Sequence, residues 1–153
     1  MPDFMRRRRW ARFLDRSADL VADLSPPEKG WISTMRQALF MSAEDVAARK
    51  GVSRNAIYQA ERSEKEGSIS LKQMDRLARS MGGKFVYAIV PDKPIEALKY
   101  EQALRNARRL SAREKGFDGW SAEEQQDWIE DCAAQLLQDM PVDFWHAPAQ
   151  ETQ

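Results

Sequence analysis

Five side chains with hydrogen-bonding groups recur within one short stretch of the chain. The stretch reads VSRNAIYQAERSE at positions 52–64 and contains Arg54, Asn55, Tyr58, Gln59 and Arg62. Steps of three and four residues bring side chains onto one face of a helix, and Ile57 with Ala60 supplies the apolar side. Asparagine and glutamine can bond bidentately to the edge of adenine, and arginine to the edge of guanine. The polar face is therefore suited to contact with the edges of bases.

Helix caps and one glycine mark the elements that must hold this face. Ser53 is placed to cap the helix that carries it, and Ser42 with Asp45 resembles a capping box that opens an earlier helix. Gly51 lies between the two helices, where a tight turn needs a residue that tolerates positive φ. The segment SAEDVAARKGVSRNAIYQAE, residues 42–61, therefore predicts two short helices joined by a turn.

Small and apolar residues are spaced to hold these two helices together. Ala47 supplies the small side chain that a close helix crossing requires, and three apolar residues face a common core: Val46, Val52 and Ile57. This is the spacing of a helix-turn-helix, whose second helix lies in the major groove of DNA with its N-terminal residues against base edges.

Periodicity in the rest of the chain predicts an all-α fold in three segments. Residues 1–29 form an N-terminal basic helical arm, whose apolar stripe is Trp10, Phe13, Leu14, Val21 and Leu24. Residues 30–91 form the helix-turn-helix domain and end in a strand. Residues 92–153 form a C-terminal helical extension with an acidic end, in which Ser121 and Glu124 open the last helix as a further capping box.

One short segment departs from the helical period. GGKFVYAIVP, residues 82–91, is β-branched and aromatic and is bounded by glycine and proline, so it predicts a β-strand. A single strand needs a partner for its backbone groups. That partner is either a hairpin strand that the pattern does not reveal or the same strand of a second chain.

The central segment resembles a known family of DNA-binding proteins. MSAEDVAARKGVSRNAIYQAERSE looks like the lambda-repressor-like, Xre-type helix-turn-helix family, and the similarity covers about residues 30–82. The resemblance implies a compact helical domain that binds double-stranded DNA as a homodimer on an inverted-repeat operator. It implies base contacts from Arg54, Asn55 and Gln59, with Ser53 and Tyr58 nearby and phosphate contacts from Arg62 and Arg36. Ala43 departs from the polar residue often found at the start of the second helix.

A longer pattern narrows the resemblance. PPEKGWISTMRQAL, the helix-turn-helix and SEKEGSISLKQMDRLARSMGGKFVYAIVP together are similar to the group called mobile mystery protein A, across most of residues 6–91. Members of that group are typically encoded beside a Fic-domain protein, which implies an antitoxin that represses its own operon and a Fic-domain toxin as its partner. The inhibitory motif [S/T]xxxE[G/N] of other Fic antitoxins is not matched, because SEKEG at 63–67 is one residue too short.

Charge is divided unevenly along the chain. Residues 1–116 hold all 24 lysines and arginines against 15 acidic residues, a net of +9, and residues 117–153 hold nine acidic residues and no basic one. This asymmetry indicates different partners for the two parts, or one part that folds over the other. The run RRRR at 6–9 is either a phosphate-binding arm or the flank of a packing helix.

Several functional classes find no support in the residues. One cysteine, Cys132, and one histidine, His146, leave no set for a disulfide, a metal site or a Ser/His/Asp triad, and no P-loop or GxGxxG is present. We therefore expect no enzyme activity, no cofactor and no metal. No apolar run approaches a membrane span, and the arginine-rich start lacks a signal peptide's apolar segment, so we expect a cytoplasmic protein without a membrane partner.

Two hypotheses about function stay open. The first is a sequence-specific DNA-binding regulator, an autorepressor and antitoxin. The second is chiefly a protein-interaction module, in which the acidic end neutralises a partner enzyme and DNA binding is secondary. A neighbouring gene for a Fic-domain protein would discriminate between them.

Overall fold

The computed structural model describes residues 2–146 and is helical throughout its regular structure. Within this range it contains seven α-helices, one 3₁₀ turn at Phe117–Gly119 and no β-strand. The helices are α1 Asp3–Val21, α2 Trp31–Ala38, α3 Ala43–Lys50, α4 Arg54–Glu66, α5 Leu71–Ser80, α6 Ile95–Ser111 and α7 Ala122–Asp139. The prediction of an all-α chain is confirmed for these residues. None of the described helices has the length and apolar composition that crossing a bilayer requires.

The chain divides into two compact units, which we call the central unit and the flanking unit. The central unit is Val21–Ala88, and it contains α2 to α5. The flanking unit combines residues 1–20 with residues 89–153, so that nearly all of α1 belongs with α6 and α7. The segments predicted as a separate arm and a separate extension therefore fall into one unit.

The core of the central unit follows the predicted helical periodicity. α3 packs against α4 and α5, and α2 packs against the same two helices. The buried apolar side chains are Ile32, Val46, Ala47, Ile57, Met74, Leu77 and Met81 together with Ala43 and Ala60. Val52, predicted to face the core, is instead exposed, because it lies in the connection between α3 and α4 rather than on an inward helix face.

Serine caps begin four of the helices. The Ser42 side chain accepts a hydrogen bond from the Asp45 amide, and Asp45 accepts one from the Ser42 amide, as a capping box requires. The equivalent pair at α7, Ser121 and Glu124, is also formed in both directions. Two further serines, at the starts of α4 and α5, each accept one amide hydrogen bond. These caps confirm the predicted helix starts.

The predicted strand at residues 82–91 is absent from the described chain. After Gly83 the segment has no regular secondary structure, and it forms no ladder with another segment among residues 2–146. The physical reason is that a strand is completed by hydrogen bonds to a neighbouring strand, and this single chain offers none to the segment. Phe85 packs partly on the central core, and Val86, Tyr87 and Ile89 are exposed.

The flanking unit is built on the contact between α6 and α7. Small side chains lie where these helices meet, namely Ala103, Ala107 and Ala133, and the ring of Phe144 fills the remaining space with only 2% of its surface exposed. The main-chain oxygen of Phe144 accepts hydrogen bonds from the side-chain amides of Gln102 and Asn106, at 3.2 and 2.8 Å. Phe144 is thereby fixed to α6.

α1 packs through a different face from the one predicted. Its buried residue is Ala11, with Leu14 half-buried one turn later, whereas Trp10 and Phe13 of the predicted stripe are exposed. The difference arises because alanine allows a closer approach to a neighbouring surface than a large ring does. Asp15 fixes the helix further, since its carboxylate accepts a hydrogen bond from the Ile95 amide at the start of α6.

Candidate nucleic-acid interface

One face of α4 brings together six of the seven residues predicted to form the site. Arg54, Asn55, Tyr58, Gln59 and Arg62 are all exposed, and Ser53 directly precedes them. At 100° per residue, these five positions occupy an arc of about 140° on the helix surface. Arg54 and Arg62 are about 12 Å apart along the helix axis, which is comparable to the width of the major groove of DNA.

Most polar side chains of this face form no hydrogen bonds within the described part of the chain. Within residues 2–146, the side chains of Arg54, Asn55, Gln59 and Arg62 form no hydrogen bond to another group, and neither arginine forms an ion pair. Their donors and acceptors therefore remain available to a ligand. The opposite side of α4 is buried through Ile57 and Ala60, so the exposed face is fixed in orientation.

The start of α4 is set by the turn that precedes it. Gly51 adopts φ +71°, in the left-handed region, and ends α3, as predicted. A Cβ at this glycine would meet no atom within 4 Å, so its requirement is for backbone conformation and not for space. Two residues later the Ser53 hydroxyl accepts a hydrogen bond from the Ala56 amide at 3.2 Å. Arg54 and Asn55 consequently occupy the exposed first turn.

Arg36, the seventh predicted residue, lies on α2, and other groups of the protein bind its guanidinium. Its Nε and one terminal nitrogen donate to the two carboxylate oxygens of Glu61, at 2.7 and 3.2 Å, and its other terminal nitrogen donates to the Met41 carbonyl. Only 12% of the Arg36 side chain and 13% of the Glu61 side chain are exposed. The hydrogen bond to Glu61 raises the pKa of Arg36, against the opposing effect of burial. Arg36 therefore holds α2 to α4.

A second carboxylate of α4 holds the other end of α2. Glu64 accepts hydrogen bonds from the amides of Trp31 and Ile32, at 2.6 and 3.0 Å, and so caps α2 from 33 residues away. Gly30 precedes α2 with φ +83°, and a Cβ there would lie 2.9 Å from a Glu64 carboxylate oxygen. Glycine is thus required at position 30 for conformation, and a side chain there would also displace the Glu64 carboxylate.

Sequence reasoning missed Glu61 and Glu64 as positioning residues. A signal was present, because these acids follow Ile57 and Ala60 at steps of four and so fall on or beside the inward face of α4. An acid on an inward face needs a cation or amide donors. The partner of each lies on α2, at a separation that no helical period connects.

The electrostatics of the α4 face favour an anionic ligand. The first turn of α4 contains no acidic residue, and a helix N-terminus carries a partial positive charge. Glu61, the acid closest in sequence to the base-facing positions, is paired with Arg36. Across the central unit, 11 lysines and arginines stand against eight acidic residues. The exposed charges on the polar face itself, Arg54 and Arg62, are both positive.

The described residues assemble no metal centre. Within them, no group of three or more histidine, cysteine, aspartate or glutamate side chains is arranged to hold an ion. Cys132 packs at the edge of the α6–α7 core, and burial raises the pKa of its thiol, which disfavours the reactive thiolate form.

Comparison of the chain with protein-family models, with curated proteins and with solved structures finds no match.

Proposed function

We propose that the protein binds specific sequences of double-stranded DNA through a lambda-repressor-like helix-turn-helix formed by α3 and α4. The observation that carries the proposal is the outward face of α4, where two arginines and two carboxamides are exposed together without partners among the described residues. Such a set matches the hydrogen-bonding edges of guanine and adenine in the major groove.

In the proposed complex, each residue of the face has a distinct task. Arg54 and Asn55, in the first turn of α4, contact base edges, and Gln59 contacts a base one turn further along. Arg62 neutralises a phosphate, and Tyr58 lies between the base-contacting and phosphate-contacting positions. Glu61 and Glu64 are positioning residues, because they hold α4 against α2 without facing the ligand. Arg36 is left out of the interface, since Glu61 and Met41 bind its guanidinium.

The test is selection of an operator from a randomised pool of duplex DNA, followed by titration of the protein with it. Arg54→Ala combined with Asn55→Ala should weaken binding to the selected operator by at least about 30-fold, because each bidentate base contact contributes about 1–3 kcal/mol. Binding to unrelated DNA should change much less, since phosphate contacts supply that affinity.

The matched control is Arg109→Ala combined with Gln138→Ala. It removes one arginine and one carboxamide from exposed positions of the flanking unit. Operator affinity should stay within about twofold of the original protein, and circular dichroism should show both double variants to be folded. Equal loss of affinity in the two double variants, or an α4 variant that keeps its operator preference, would refute the proposal.

We further propose that the DNA-binding form is a homodimer joined by residues 84–90. The segment lies outside the helices, its exposed side chains include Val86, Tyr87 and Ile89, and its backbone forms no ladder within residues 2–146. Antiparallel pairing with the same segment of a second copy would complete a two-stranded sheet around a two-fold axis. Two copies of α4 would then contact the two halves of an inverted repeat.

Proline tests this pairing, because it removes a backbone donor from a strand. Val86→Pro should raise the dimer dissociation constant at least about tenfold, whereas Val86→Thr keeps the donor and the branched side chain and should change it little. Light scattering across a concentration series measures both. A monomer before substitution, or equal effects of the two variants, would exclude this interface.

The resemblance of residues 6–91 also motivates a protein partner, and we propose a Fic-domain toxin that binds the flanking unit. Supporting features are the exposed carboxylates of α7, among them Glu123, Asp127 and Asp131, and the exposed ring of Trp145. Co-expression with a Fic-domain protein encoded beside this gene should yield a complex that Trp145→Ala weakens. Retention of full binding by that variant, or no complex with the wild-type chain, would reject this surface.

A further inference from the structure

An apolar groove opens on the central unit, apart from the polar face of α4. Its volume is about 430 Å³, and it lies between α2, α5 and the residues that follow α5. Residues that line it include Trp31, Ile32, Met35, Met74, Met81 and Phe85. Ile32, Met74 and Met81 belong to the buried core, so part of the groove is built on well-packed side chains.

The groove has the size and character of a small-molecule site. Cavities that bind small ligands commonly measure about 300–1,000 Å³ and combine apolar walls with a few polar groups. Methionine side chains adapt to the outline of an apolar ligand, and three of them line this groove. An occupant with an apolar body of moderate length therefore fits the walls.

A single cation at the rim defines the other end of the occupant. Lys84 is exposed and is the one charged residue among those described as lining the groove. It forms no ion pair within residues 2–146. A ligand with one anionic group beside an apolar chain complements both features.

The alternative occupant, the exposed segment of a second copy, lacks this complementarity. Residues 83–91 read GKFVYAIVP and contain no acid, and the same segment brings a second lysine. Self-insertion would therefore bring no counter-charge to Lys84. The nearest amides on α2, those of Trp31 and Ile32, are already bonded to Glu64 and offer no anion site of their own.

We infer that this groove binds an amphipathic carboxylic acid of medium chain length, with the chain against the methionines and the carboxylate at Lys84. Ligand binding in this groove requires no DNA, so it is tested independently of the proposed function.

The probe is sodium decanoate, held below its critical micelle concentration and titrated calorimetrically into the full-length protein. We expect saturable binding of one molecule per chain with a negative heat-capacity change, because apolar surface is buried. Decanol and decylammonium have the same chain without the anion and should bind less tightly. No saturable binding, or equal affinity for all three compounds, would overturn the inference.

Two substitutions locate the site. Ala78→Trp places a large ring in the groove and should weaken decanoate binding at least about tenfold, whereas Ala134→Trp, at an exposed position on α7, should not. If circular dichroism shows that Ala78→Trp disturbs folding, Ala78→Leu places a smaller side chain in the groove. Equal binding by the filled and control variants would place decanoate elsewhere and refute the site.

Removal of the Lys84 charge tests the contact with the carboxylate. Lys84→Gln should weaken decanoate by about two- to fivefold, as expected for an exposed ion pair, and leave decanol unchanged. Lys72→Gln is the matched control, since this exposed lysine does not line the groove. The inference would be wrong if the wild-type chain did not bind decanoate and Ala78→Trp dissociated a dimer. In that case the occupant of the groove would be a second copy of the chain.

Discussion

Both units use a distant carboxylate to hold a helix start, and the flanking unit adds carboxamides that hold the chain after its last helix. In the central unit, the carboxylate of Glu64 accepts from amides at the start of α2. In the flanking unit, the carboxamides of Gln102 and Asn106 donate to the carbonyl of Phe144. The difference follows from which backbone groups lack partners, because a helix start presents free N–H groups whereas the chain after a helix presents free carbonyls. Each unit supplies the complementary group from a distant residue.

The largest effect should come from the ring that completes the flanking core. Phe144→Ala should lower the free energy of unfolding of the flanking unit by about 3–5 kcal/mol, because it empties a space that the surrounding alanines cannot fill. Hydrogen exchange in a urea series should show protection falling in α6 and α7 and not in α3 and α4. The control is Trp145→Ala, whose ring is 56% exposed and which should cost no more than about 1 kcal/mol. Equal losses in both units would contradict the division.

The next effect concerns the ion pair of the central unit. Glu61→Gln should lower the free energy of unfolding by about 2–3 kcal/mol, because it leaves the guanidinium of Arg36 largely buried without a full counter-charge. The matched control is Asp75→Asn, which breaks an ion pair with Arg79, a side chain that is 72% exposed. That change should lower the free energy of unfolding much less, because water screens an exposed ion pair. Chemical denaturation measures the free energy of unfolding of both variants. Similar losses in the two would show that burial does not make the Arg36–Glu61 pair more important than the Arg79–Asp75 pair.

Smaller effects are expected at the two capping boxes, one in each unit. Ser42→Ala and Ser121→Ala should each cost about 1 kcal/mol, since each removes one acceptor for a helix N–H group. Hydrogen exchange should assign the first loss to the central unit and the second to the flanking unit. A loss of protection in the opposite unit would show that the two units unfold together.

Acid should produce the smallest change. Hydrogen bonds from the Ser42 side chain and amide lower the pKa of Asp45, and those from the Ser121 amide and side chain lower the pKa of Glu124. A lowered pKa in the folded state contributes stability above the ordinary carboxyl pKa and loses it as the pH falls through the lowered value. The stability difference between the wild-type protein and Asp45→Asn should therefore shrink in acid. A difference that is independent of pH would exclude this contribution.

Sequence reasoning succeeded where the cause was local. The cap at Ser53, the capping boxes and the positive φ of Gly51 each depend on residues within a few positions, and all are present. The apolar period correctly placed Val46, Ala47 and Ile57 in the core. These features orient the polar face of α4, so the placement of that face could be derived before its surroundings were known.

Prediction from the sequence failed where the hydrogen-bonding partner of a residue lay far along the chain. Glu64 caps α2 across 33 residues, and Asn106 binds the Phe144 carbonyl across 38. The phosphate contact of Arg36 was implied by the family resemblance, and only the fold reveals that Glu61 binds its guanidinium. The strand at 82–91 stays a prediction, because a strand also needs a neighbour and residues 2–146 of one chain supply none.

The charge division of the sequence also disappears in the fold. Residues 117–153 carry a net charge of −9, but α7 packs against the basic α6 within the flanking unit. The central unit has a net charge of +3 and the flanking unit a net of −3, counted over the whole chain. Truncation at residue 117 would therefore remove half of a packed helix pair and is a poor test of the acidic end.

The capping of α2 by Glu64 has a consequence for the order of folding. Helices α3, α4 and α5 begin at serines that accept from an amide three residues away, so their starts can form locally. α2 has eight residues and no side-chain cap of its own, and so short a helix is unstable alone. Its first amides find their acceptor only after α4 has formed and docked. Substitution of Glu64 should accordingly accelerate unfolding and leave the rate of folding almost unchanged.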